Sequence, residues 1–287
     1  MSAPSVRGQE TGRVFRSDIE LVSTPVTVVD EEGRLVATLG RDDFEVFEDG
    51  LIQPVAHFTR ERLPVSVALV IDASDSMVGA RMEDARAALA RFLDDLLAPE
   101  DEAALVVFNH DPRVAALWTD RRAPLRERLD GIRPSGGTAL YDAVTATMPL
   151  FESRRHPRGA MVVISDGDDT ASDASLMELR NRLTGSDVFV YAIAIEAANG
   201  RRSTEVNPWA LRDMTSRGGG YTEVIAQPSE LGPATARIAE ELNHQYMLGF
   251  SPERRRDGRY HTIRVAVKGR GYRVRSRRGY FAGRGRS

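Results

Sequence analysis

Four nearly uninterrupted apolar runs constrain this chain more than any other feature: VSVALVI (65–71), AALVVFN (103–109), AMVVIS (160–165) and DVFVYAIAI (187–195). A strand with one wet face alternates apolar and polar residues, whereas a run without that alternation has to be covered on both faces. Helical spacing fills the intervals. In RMEDARAALARFLDDLL, residues Met82, Ala85, Leu89, Phe92, Leu93 and Leu96 share one helix face. APLRERLDGI, TALYDAVTATMPLF, SLMELRNRL, WALRDMTSR and SELGPATARIAEELN also read as helices, and YTEVI as a further short strand. Strands alternating with helices predict an α/β unit, a doubly wound and mostly parallel sheet, over 63–243.

The two ends of the chain have a different texture. Residues 1–17 are polar and are expected to be disordered. The segment 18–62 is β-rich: DIELVSTPVTVVD, RLVATL, then DFEVFEDG and LIQPVAHFT with Asp49-Gly50 as a hairpin turn. Residues 244–287 return to β signals in HQYMLGF, RYHTIRVAV, YRVRS and GYFA. Neither end can bury both faces of a sheet alone. They are therefore expected to pair as one smaller β-sandwich-like domain, with the α/β unit inserted between them.

Three strand ends of the α/β unit carry side-chain oxygens. Asp72, Ser74 and Ser76 follow the first buried run in DASDS, Thr138 lies in PSGGTALYDA, and Asp166 follows AMVVIS in SDGDD. Ligands of such sheets bind at the carboxyl ends of the strands. Taken singly, the hydroxyls are ordinary helix caps and Asp166-Gly167 an ordinary turn. Together, three hydroxyls and two carboxylates at one sheet edge form an all-oxygen set suited to a hard cation, Mg²⁺ above all, with Mn²⁺ or Ca²⁺ as alternatives. Gly136 and Gly137 would let the backbone approach closely, with Tyr141 and Asp142 one turn into the helix behind. Asp75, Asp168, Asp169 and Asp173 read as exposed turn carboxylates.

The order DASDS, GGTALYDA, ISDGDD resembles the metal-ion-dependent adhesion site of the von Willebrand factor A-type domain, and the flanking β segments are similar to a bacterial, acidobacterial-type group of such proteins. The resemblance implies that Ser74, Ser76 and Thr138 ligate the metal directly, while Asp72 and Asp166 hold it largely through water. A neutral first shell leaves the ion under-neutralised and able to take an Asp or Glu from a protein partner. It also implies a non-enzymatic adhesion module whose final α/β helix (228–243) shifts on partner capture. A scaffold with a structural metal site, binding through its β domain, is the alternative.

Other classes find less support. DGDDT (166–170) fits the D-x-D-x-T nucleophile pattern of haloacid-dehalogenase-type phosphatases, with Asp166 and Asp168 in the acting roles. That reading leaves DASDS and GGT unexplained, and the sole lysine, Lys268, sits in the β tail. No G-x-S-x-G elbow is present, and the five histidines show no ligand spacing. A net charge of -3 gives no reason to expect nucleic acid, and the arginine-rich end reads as a solvated edge. The absence of cysteine excludes disulfides and thiolate metal sites. No apolar stretch approaches the ~20 residues that span a bilayer. MSAPSVRGQETGR lacks the apolar core of a leader, so the chain is expected to be extracytoplasmic where a leader has been removed and cytoplasmic otherwise.

Overall fold

A computed structural model describes residues 21–165, 169–195, 208–252 and 257–283. The buried runs form the middle of a six-stranded sheet. In chain order its strands are β5 (Val65–Asp72), β6 (Glu102–Phe108), β7 (Pro112–Thr119), β8 (Arg158–Ser165), β9 (Val188–Ile195) and β10 (Thr222–Ile225). The N-terminal strands β1 (Val22–Val29), β2 (Phe44–Glu48), β3 (Leu51–Gln53) and β4 (His57–Thr59) precede them. The strands β11 (Tyr246–Phe250), β12 (Tyr260–Val267), β13 (Arg273–Ser276) and β14 (Gly279–Phe281) follow.

The large sheet runs β10-β9-β8-β5-β6-β7, parallel except at β7. Every residue of β5, β6, β8 and β9 is buried, as their unbroken apolar character requires. Alternate side chains serve opposite layers. Val67, Leu69 and Ile71 pack under helices α1 (Ala80–Arg91), α2 (Arg122–Asp130) and α6 (Leu231–Asn243). Ala68 and Val70 face α3 (Leu140–Thr147), α4 (Leu176–Leu183) and α5 (Pro208–Arg217). The expected α/β doubly wound sheet is therefore present. The edge strand β7 was not expected: its half-exposed residues give no buried run, and its hairpin with β6 hides behind the turn-like Asn109-His110-Asp111-Pro112.

The two chain ends build two antiparallel four-stranded sheets, β13-β1-β11-β4 and β14-β12-β2-β3. N-terminal β1 lies between C-terminal β11 and β13, and β2 pairs with β12. Val26, Val28, Leu248 and Phe250 of one sheet meet Phe44, Val46, Ile263 and Tyr280 of the other in one core. At the β2–β3 hairpin, Asp49 (φ 48) and Gly50 (φ 83) supply the two positive dihedrals of a type I′ turn. LIQPVAHFT does not form one strand. Pro54 has no N–H to donate, β3 stops at Gln53, and β4 joins the other sheet. RLVATL contributes only an isolated bridge at Leu35.

The sandwich is joined to the α/β unit by buried polar groups. Glu241 of α6, 2% exposed, accepts from Thr27 Oγ1 (3.0 Å) and Tyr191 OH (3.0 Å) and pairs with Arg275 of β13. Arg158, also buried, donates to Leu242 O, to Leu63 O and to Gln245 Oε1. Burial pushes its guanidinium down to about 10. Arg275 and Arg277 thus belong to the joint, not to a solvated edge. Among the described residues no helix is long and apolar enough to cross a membrane.

Candidate metal centre

Strand β5 ends in a carboxylate that is fully buried. Asp72 Oδ1 accepts the Ser74 N–H (2.8 Å) and Oδ2 accepts the Ser165 hydroxyl (2.5 Å). Two short donors fix the carboxylate in orientation. The first bends the chain directly after the strand. A single helical turn over Asp75–Met77 follows, pinned by the fully buried Met77. The turn brings the Ser74 and Ser76 hydroxyls to 2.9 Å from one another.

Backbone hydrogen bonds fasten the neighbouring loop to this turn. Ser135 N–H donates to Ala73 O (2.7 Å), and Asp75 N–H donates to Gly136 O (2.9 Å). Gly136 adopts φ 82, the left-handed region that favours glycine, and a Cβ there would lie 2.7 Å from His110 Nδ1, so the exposed imidazole would have to move aside. Two residues on, Thr138 is 5% exposed and held from three directions. Its N–H donates to Thr170 Oγ1 (3.0 Å), its carbonyl accepts from Thr170 N–H (2.8 Å) and Ala171 N–H (3.1 Å), and Ala139 N–H donates to Asn109 O (2.6 Å). Of the expected set, Asp72, Ser74, Ser76 and Thr138 thus lie on loops bonded to one another. Asp166 lies outside the described residues, as do Gly167 and Asp168.

Several supports of these loops lie outside the expected set. Ser165, the last residue of a buried run, anchors Asp72; a hydroxyl closing an apolar strand was the available signal. A reciprocal clasp holds the 169–174 loop to the start of α3. Asp169 Oδ1 accepts from Tyr141 N–H (3.2 Å) and from the Ser172 hydroxyl (2.5 Å), and Ser172 Oγ accepts from Asp142 N–H (3.1 Å). In return Asp142 accepts from Asp173 N–H (2.8 Å) and Ala174 N–H (2.9 Å). Asp169 is therefore a helix cap, not the plain exposed turn carboxylate expected.

The Ser74 and Ser76 oxygens stand 2.9 Å apart, a separation that can be set beside the shells of the candidate dications. Neighbouring oxygens of an octahedral shell at 2.0–2.1 Å from Mg²⁺ stand about 2.9 Å apart, and those of a 2.3–2.6 Å Ca²⁺ shell about 3.3–3.7 Å. The Ser74–Ser76 spacing of 2.9 Å matches the smaller ion. It is also an O–H···O hydrogen bond length, so the separation by itself selects no ion.

Residues 67–168 match the family model described as the von Willebrand factor type A domain. The chain is 31% identical over 136 residues to inter-alpha-trypsin inhibitor heavy chain H4 of Homo sapiens, covering 42% of this chain and 14% of that protein. It is 27% identical over 200 residues to heavy chain H2 of Sus scrofa, covering 62% of this chain and 21% of that one. The chain thus spans a minor part of the length of these relatives. Among solved structures, von Willebrand factor type A from Catenulispora acidiphila superposes with a TM-score of 0.55 at 15% identity. That match covers 94% of this chain and 75% of the other, and so extends over the sandwich as well as the α/β unit.

Proposed function

Because this chain carries a von Willebrand factor type A domain, we propose that it is a non-enzymatic protein-binding module in which a divalent cation captures an Asp or Glu of a partner protein. Ser74, Ser76 and Thr138 would hold the ion, with Asp72 and Asp166 behind them. Bound there, the ion supplies a positive charge that attracts a carboxylate. The observation that carries the reading is the 2.9 Å pair of hydroxyls standing beside a buried, doubly anchored Asp72.

The chain's own residues explain why such a site would select an outside acid. The three hydroxyls are neutral, and Asp72 is held by Ser74 N–H and the Ser165 hydroxyl. Charge compensation at the exposed face is then left to a group from another molecule. Ser76 is exposed while Ser74 and Thr138 are buried, so the open side is the Ser76 side. Thr170 supports the reading over phosphatase chemistry, because its hydroxyl accepts the Thr138 N–H and thereby braces the same loop. We extend the proposal to an extracytoplasmic location, which fractionation of source cells tests.

Affinity capture from source-cell extract, run in Mg²⁺ and in EDTA, tests the function. Partners retained in Mg²⁺, released by chelator and lost in a Ser76→Ala variant, whose exposed site leaves the melting temperature nearly unchanged, are the expected result. Capture that ignores EDTA and survives in Ser76→Ala would mean that any metal is structural and that the β domain does the binding.

A further inference from the structure

Arg81 stands where helix energetics would not put it. It is the second residue of α1, and a cation in the first turn of a helix meets the positive end of the dipole. Acids are favoured there, and in α1 Glu83 supplies one. Arg81 reaches back across the preceding turn instead: its Nη1 donates to Ser76 O at 2.8 Å. The guanidinium is therefore anchored on the residue whose hydroxyl marks the open side of the candidate metal centre.

That side of the molecule faces outward. Ser76, Val78, Gly79 and Ala80 are all exposed, Val78 to 63%. The carboxylate of Asp75, on the same turn, is exposed as well and opposes the approach of any acid. A cation fastened to Ser76 offsets it. A guanidinium acts on an incoming carboxylate through its charge, whichever of its N–H groups are already engaged. The hydroxyl and the carbonyl of Ser76 are separate groups. The ion would take the first, and Arg81 holds the second. One exposed residue thus offers a carboxylate two different cationic neighbours.

We propose that Arg81 is a specificity-determining residue of this surface: it receives a second carboxylate of the partner, so that the module selects neighbouring acidic side chains over a lone acid. The inference rests on the metal-dependent capture proposed above. One acid of the partner goes to the ion, and the next lies against Arg81, whose planar fork matches a carboxylate.

The test uses two immobilised peptides, one with two adjacent aspartates and one with an aspartate beside an asparagine. Surface plasmon resonance is run on the unaltered chain, Arg81→Gln and Arg81→Lys, in Mg²⁺ and in EDTA, with calorimetric Mg²⁺ titration of each protein. In Mg²⁺ the unaltered chain should prefer the double aspartate by about fivefold, the upper range of an exposed ion pair. Arg81→Gln should lose the preference, and Arg81→Lys should regain part of it. Binding of the single-aspartate peptide and Mg²⁺ affinity should hold throughout. Equal binding of the two peptides, retention of neither, or a preference that persists in Arg81→Gln overturns the inference while Mg²⁺ uptake leaves the metal site standing. A loss of Mg²⁺ affinity in Arg81→Gln that matches the loss for both peptides would make Arg81 a brace of Ser76, and overturns it too. Absence of Mg²⁺ uptake by the unaltered chain, or peptide binding that ignores EDTA, removes the underlying reading and this inference with it.

Discussion

Replacing Arg275 by methionine removes a charge from the joint while keeping most of the side-chain length. Its partner Glu241 is buried on α6 and would retain only the hydroxyls of Thr27 and Tyr191. Two neutral hydrogen bonds contribute about 1 kcal/mol each, whereas orphaning a buried ionic partner costs about 3–5 kcal/mol. Arg275 is itself 28% exposed, which places the expected loss at the lower end. At roughly 2–4 °C per kcal/mol for a chain of this size, the melting temperature should fall by about 6–12 °C. The loss should depend on pH. Burial raises the Glu241 pKa above its ordinary value, and Arg275 is the strongest influence lowering it. With the folded pKa above the unfolded one, the folded state binds more protons across the interval between them, and stability falls as pH rises through it. Removing Arg275 extends that interval upward. Urea unfolding should therefore show a larger loss at pH 8 than at pH 5. A loss below about 1 kcal/mol, the range of an exposed pair, or an equal loss at both pH values would refute the reasoning.

Gly136→Ala imposes a left-handed backbone on an L side chain and sets its Cβ against His110. A loss of about 1–2 kcal/mol with weaker Mg²⁺ binding is expected in thermal and calorimetric titrations. His110→Ala should relieve the clash but not the backbone part. Thr170→Val removes the acceptor of the Thr138 N–H; stability should drop by about 1 kcal/mol, and Mg²⁺ affinity should fall although no proposed ligand has changed. His261 is held by Asp49 (2.7 Å) and Asp257 (3.1 Å), which raise its pKa. That stabilisation is complete below the unfolded pKa near 6.5 and is lost as pH rises through the folded value. Guanidinium unfolding of His261→Gln should accordingly show a deficit at pH 5.5 that shrinks by pH 8.5.

The sheet was readable because β5, β6, β8 and β9 are buried on both faces and leave unbroken apolar runs. The type I′ turn was readable because Asp49-Gly50 has a local dihedral requirement. Strand β7 was not, since a half-wet edge strand carries no such run. That Asp72, Ser74, Ser76 and Thr138 sit on neighbouring loops at one sheet edge could be inferred from strand ends alone. The braces of these loops could not: Ser165, Thr170 and Ser172 act through contacts between loops distant in sequence, and a single hydroxyl carries no periodic signal. Arginine at 275 and 277 looked like surface charge because burial of a guanidinium depends on what packs over it, here α6, β1 and the 216–220 turn.

Isothermal titration of the purified chain with Mg²⁺, alongside Ser74→Ala and Thr138→Ala, bears most directly on the account. One ion per chain should bind to the unaltered protein, with affinity falling at least tenfold in each variant while circular dichroism stays the same. Absence of Mg²⁺ or Mn²⁺ uptake at millimolar concentration, or variants that bind as well as the parent, would contradict it.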